Sequence, residues 1–285
     1  MELDFKELED DKLFENEPEI YHMLKGTLQY PAEPKLIGAK LAGDIVFVCT
    51  TPLLNKDEPC SIYHVWEVVI KLSRYIPPDH PWQDSLVHAV DSLRQREGHI
   101  RGPNSALWES LPYLSICMRE SWEDGSYIND GDLTQETADT MTEAQIKIWK
   151  NQISFAARLT GPSWAPLMIP TLWQIRGALE ERPLKGAVQD CRVWIACEWL
   201  LHCADTIREF ITEEVESDPA CETGSLCGED IPQFGIKRWE FWKKRLGEIA
   251  ADAESLKLEG VTRGRISEAV KRMEAVEKVV TEGKE

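Results

Sequence analysis

Between residues 186 and 213 the chain carries a helical run that is apolar nearly all round. From Val193 to Ala204 only Glu198 and His202 interrupt a string of Val, Trp, Ile, Ala, Cys and Leu. A helix without a polar face has to be buried. The rest of the chain must therefore supply helices that surround it.

The flanking sequence supplies them. Ile62, Val65, Trp66, Val69 and Leu72 recur with a period near 3.6 and predict a helix over 61–76, stopped by Pro77 and Pro78. Further helices are predicted from Trp82 to near Gly98, over 107–118 with Pro112 as a kink or true start, over 134–160, and over 166–181. Trp239, Trp242, Leu246 and Ile249 mark another, and Ile266, Val270, Met273, Val276 and Val280 the last, over 263–280. The predicted fold is all-α: a single irregular domain of about eight helices around a central buried helix, or a two-lobed body split near the loop 123–133. Residues 1–60 read as an acidic arm and irregular wrap, and 61–285 as the helical domain. Within the wrap, Asp44–Cys49 reads as a short strand or a buried helix turn.

Fifty acidic residues against 32 basic ones give a net charge of -18. Such a surface repels phosphate backbones and anionic membranes, which argues against nucleic acid and membrane as partners. The start, Met1-Glu-Leu-Asp-Phe-Lys-Glu-Leu-Glu-Asp-Asp11, has neither the basic residues nor the apolar run of a signal peptide, so a cytoplasmic location is expected. Eight cysteines fit that compartment as free thiols, with Cys191, Cys197 and Cys203 as small core residues of the central helix. Cys221 and Cys227 lie in a Gly-containing acidic loop open to oxidation. Their spacing is not that of a zinc site. The chain has no Gly-rich nucleotide fingerprint and no Gly-x-Ser-x-Gly elbow, and no cofactor or metal is expected.

Eleven tryptophans occupy mostly helical segments. They build either an aromatic-lined pocket or an oversized core, because a buried indole N–H needs a partner. Three clusters of polar residues stand out against this apolar background. Glu198 and His202 are four apart on one face of the central helix, with Asp190, Trp194, Trp199 and Asp205 close by. A carboxylate beside an imidazole in apolar surroundings suits general acid–base work, although a satisfied structural pair has the same sequence signature. Asn151 and Arg158, seven apart with Ser154 and Phe155 between them and Trp149 at one end, can hydrogen-bond a carbonyl or carboxylate. The alternative is an Arg paired with a surface acid. The run Arg238-Trp239-Glu240-Phe241-Trp242-Lys243-Lys244-Arg245 forms a basic island for an anionic partner or for the acidic loops. His80, between Asp79 and Pro81, reads as a turn residue.

Four segments together resemble a family of uncharacterised fungal proteins built on a domain of unknown function. They are His64–Ile70 continuing to Pro77–Val87, Leu107–Pro112 with Arg119–Trp122, Trp149–Leu159, and Arg238–Arg245. The third departs from the family's pattern, which carries a second Asn where Ser154 stands. The resemblance implies an all-helical cytosolic protein of fungal natural-product metabolism and transfers no catalytic residue.

These readings lead to two expectations. The first is a cofactor-independent enzyme of the cyclase, isomerase or pericyclase type. It would bind a hydrophobic small molecule in an aromatic-lined helical pocket, with Glu198, His202 and Arg158 as catalytic groups and Trp194, Trp199, Asn151, Phe155 and Trp149 against the substrate. Catalysis by positioning needs no cofactor. A homodimer is compatible with this reading. The second is a non-catalytic helical protein-interaction module that uses the arm 1–19, the loop 214–233 and the terminal helix. An enclosed Trp-lined cavity favours the first, and a solid core with an exposed apolar stripe favours the second.

Overall fold

The structure, a computed structural model, describes residues 18–53, 57–100, 106–122, 134–138, 140–213 and 216–282. The acidic arm up to residue 17 and the loop 123–133 lie outside the described residues. The fold is all-α, and no named strand occurs among the described residues. The chain divides into two compact units, residues 1–122 and 123–285.

The first unit contains α1 (Pro18–Leu28), α2 (Pro34–Thr50), α3 (Ile62–Tyr75), α4 (Pro81–Arg94) and α5 (Leu114–Glu120). The expected irregular wrap before residue 60 thus holds two helices, and Asp44–Cys49 is the buried helix turn, not a strand. Pro34 occupies the first turn of α2, where its missing N–H costs nothing and its φ is already helical. Pro112 does not kink a helix. A short 3-10 turn over Trp108–Ser110 is followed by left-handed Leu111 and Tyr113, and α5 starts after them. Ser61 and His80 cap α3 and α4 with their side chains, the latter by accepting from Trp82 N at 3.2 Å.

The tightest packing in this unit joins α2 to α4 at Gly38. A Cβ there would run into the Cβ of His88 and lie 2.8 Å from the carbonyl oxygen of Ser85. Gly38→Ala is therefore expected to destabilise the first unit by about 1–3 kcal/mol, because a backbone has to retreat. A thermal melt of the variant checks this; an unchanged midpoint would show that the helices slide apart freely.

The second unit contains α6 (Gln135–Ala138), α7 (Glu143–Leu159), α8 (Met168–Leu179), α9 (Ala187–Thr212), α10 (Ile236–Ala251) and α11 (Gly260–Glu282). The predicted long helix over 134–160 is two helices. Thr142 starts the second with a capping box, its hydroxyl accepting from Gln145 N at 3.2 Å while Gln145 Oε1 accepts from Thr142 N at 2.9 Å. Helix α9 is the central one, packing against α7, α8, α10 and α11. It bends at Cys203, whose backbone is non-helical. The cause is local, since the Cys203 thiol donates to the Trp199 carbonyl at 3.1 Å and intrudes on the helix ladder.

Eight of the eleven tryptophans are buried: Trp66, Trp108, Trp122, Trp149, Trp194, Trp199, Trp239 and Trp242. Most of the indoles therefore build the two cores. All eight cysteines are free and buried. Burial pushes the thiols of Cys191 and Cys227 up to about 12, and the Cys221 thiol upward as well. No helix among the described residues is long and apolar enough to cross a membrane.

Candidate functional site

The centre of the second unit's polar chemistry is Glu198. Its carboxylate is fully buried on α9, and four side chains from three helices converge on it. From α7, Ser154 Oγ donates to Oε1 at 2.6 Å and Arg158 Nη1 donates to the same oxygen at 3.0 Å. Arg158 also donates to the Ser154 hydroxyl, so the serine is held as a relay between the guanidinium and the acid. One turn along α9, His202 Nε2 lies 3.3 Å from Oε1. From α11, Arg265 Nη1 donates to Oε2. The i, i+4 spacing places the imidazole and the packing of α7 and α11 supplies the cations.

Burial alone would raise the pKa of this acid. The hydrogen bond from His202 and the charge of Arg265, with Ser154 in support, outweigh it and pull the carboxyl from 4.5 down to about 2. The acid is thus ionised throughout the physiological range. A depressed folded-state pKa contributes stability above the unfolded value and loses it as pH falls through the folded one. The contribution is roughly 3 kcal/mol at neutral pH. The second unit is expected to weaken between about pH 4.5 and pH 2, and Glu198→Gln to flatten that stretch of the profile. Urea midpoints measured across this range check it; parallel profiles for the two proteins would exclude Glu198 as the source.

Arg158 and Arg265 are about one-sixth exposed and His202 is 30% exposed, so the cluster opens outward on its cationic side. The Arg265 guanidinium lies over the Trp194 ring at 4.3 Å, and Lys150 lies 5.6 Å from the same ring while pairing with Asp190 at 2.9 Å. The structure therefore brings together Glu198, His202, Arg158 and Trp194. Ser154 and Arg265 join them, a contribution that sequence reasoning did not assign.

The other expected residues are buried side chains of the second unit. Trp199 is fully buried and its N–H donates to Gln174 Oε1 on α8 at 2.8 Å, away from the cluster. Phe155, Trp149 and Asn151 are buried in α7 as part of the core. Of the indoles expected against a substrate, Trp194 borders this site through Arg265.

The basic island pairs with acids. Lys243 binds Glu277 at 2.7 Å and Lys244 lies 3.6 Å from Glu248, to which Arg245 also donates. Arg238 is fully buried and forms a two-pronged pair with Glu180 at the end of α8, at 2.7 and 3.1 Å. It also donates to the carbonyls of Cys221 and Gln233 at 2.9 and 2.8 Å. Trp242 Nε1 and Gly224 N complete the shell of Glu180 at 2.5 and 2.8 Å. The described part of the loop after α9 is thus fastened at its centre. Gly224 is required there, since a Cβ would lie 2.6 Å from the Glu180 carbonyl oxygen. Among the described residues no three His, Cys, Asp or Glu side chains gather in a metal-ligating group.

A family model described as "Protein of unknown function (DUF3632)" matches residues 66–246. The matched span contains Ser154, Arg158, Glu198 and His202, whereas Arg265 lies beyond it. No curated protein and no solved structure matches the chain.

Proposed function

The chain belongs to this family of unknown function, and from that premise we propose that its second unit is a cofactor-independent enzyme of the isomerase or cyclase type. The substrate class is an apolar small molecule with a carbonyl or carboxylate group, of the kind found in natural-product metabolism. One observation carries the reading: a partly exposed imidazole is held 3.3 Å from a fully buried, ionised carboxylate, beside two partly exposed guanidiniums.

The roles follow from charge. Glu198 orients His202 and stabilises the imidazolium that forms when it accepts a proton. His202 removes a proton from carbon next to the substrate carbonyl. Arg158 and Arg265 face the oxygen on which the negative charge of the enolate develops. The imidazolium then returns the proton to a second carbon or oxygen, so the reaction is neutral overall. Trp194, under Arg265, supplies the apolar wall.

The test uses solvent exchange, which needs no knowledge of the product. A panel of 1,3-dicarbonyl compounds is incubated with the protein in heavy water and followed by NMR. Enzyme-dependent loss of α-proton signal supports the reading, and uniform background exchange sinks it.

The interaction-module reading finds less support. Val261 and Val279 are exposed on one side of α11, but Glu268 and Arg272 interrupt the stretch between them. The terminal helix thus lacks the continuous apolar stripe that a docking partner would cover.

A further inference from the structure

The first unit contains a cleft of about 560 Å³ where the α1–α2 and α3–α4 connections meet, within the size range of small-molecule sites. Its walls are set by short-range geometry. Tyr30 and Ala32 are held by turn hydrogen bonds, Tyr30 N to Thr27 O and Ala32 N to Tyr30 O. On the facing side His80 N donates to Pro77 O at 3.0 Å, closing the turn that carries Asp79. Pro31, Pro77 and Pro81 restrict the backbone on both sides, so little ordering is left for a ligand to impose.

The chemistry of the lining is one-sided. Three π systems contribute: Tyr30, His80 and Trp82. The rings of His80 and Trp82 stand nearly perpendicular, 76° apart with centroids 4.9 Å apart, and so form a corner. Asp79 is the only carboxylate among the lining residues, and they include no Lys or Arg. A corner of aromatic faces beside one carboxylate attracts a positive charge on an apolar body. The protein's net charge of -18 adds long-range attraction of the same sign.

We propose that this cleft binds a small organic cation, with an alkylammonium head seated against Trp82, His80 and Tyr30 and balanced by Asp79. The proposal is independent of the Glu198 cluster.

Choline and its neutral isostere 3,3-dimethylbutan-1-ol separate charge from shape. Titration calorimetry of the full chain should show saturable choline binding about tenfold tighter than that of the isostere. Asp79→Asn should weaken choline several-fold and leave the isostere unchanged, and Trp82→Leu should weaken both. Because Trp82 lies in the first turn of α4, circular dichroism of that variant accompanies the titration; Asp79→Asn decides the matter if Trp82→Leu unfolds. A peptide bearing trimethyllysine is run in parallel. Tighter binding of the peptide than of choline would place the cation on a protein tail and overturn a small-molecule site. Equal binding of choline and the isostere, or no choline binding into the tens of millimolar (roughly the weakest that calorimetry resolves), overturns the proposal altogether.

Discussion

Glu180→Gln lowers the stability of the second unit by about 3–5 kcal/mol, the largest effect expected of any single substitution outside the apolar core. The cause is the charge left behind. Arg238 is fully buried and, among the described residues, Glu180 is the acid that pairs with its guanidinium, its other partners being the carbonyls of Cys221, Gln233 and Glu222. Neutralising the acid leaves a cation in a medium that solvates it poorly. The same change weakens the Trp242 and Gly224 contacts, so the loop after α9 loosens with it. Urea denaturation of the variant measures the loss. The pair Glu180→Leu with Arg238→Met removes both charges and should recover much of it. A single variant as stable as the parent would mean that Arg238 finds another acid.

His202→Gln is expected to separate chemistry from architecture. The ring is 30% exposed at the outer end of the cluster, but its hydrogen bond helps to hold Glu198 ionised. A loss of stability of about 1–2 kcal/mol is therefore expected, smaller than that of Glu198→Gln because Ser154, Arg158 and Arg265 still donate to the carboxylate. Removing a general base lowers proton transfer by roughly 10²–10⁴-fold, and the solvent-exchange assay should register a loss in that range. Glu198→Gln should reduce both exchange and stability, because that acid also holds α7 and α11 to α9. Exchange that survives His202→Gln would identify the cluster as a fastening of three helices and nothing more.

Much of this arrangement was legible in the sequence, and the limits have physical causes. The apolar run 193–204 specified a central helix, and α9 is one, because burying an all-round apolar surface admits few alternatives. Glu198 and His202 share a face because helical spacing is local. Arg265 was beyond reach, since nothing local relates it to a carboxylate 67 positions earlier. The Glu180–Arg238 pair, 58 positions apart, was hidden for the same reason. Other differences arose from overlooked local signals. Thr142-Glu143-Ala144-Gln145 has the spacing of a capping box and marks the start of α7, and Pro34 marks the start of α2. The bend at Cys203 left no trace in the sequence, because a cysteine in a helix usually stays in register. The Trp count was informative about composition but ambiguous about use: Trp199 turns to Gln174 and away from Glu198, a choice made by the packing of α8.

The burial of eight indoles has an optical consequence. Trp82, Trp164 and Trp173 are the emitters with appreciable access to water, whereas the rest report on the two cores. A dissolved quencher such as iodide should reach only those three while the protein is folded, and all eleven once it unfolds. A ligand beside Trp82 or Trp194 changes the surroundings of one emitter among eleven. Total intensity is therefore a good meter of folding and a poor meter of occupancy. A large signal on adding a compound would mean that a core has rearranged.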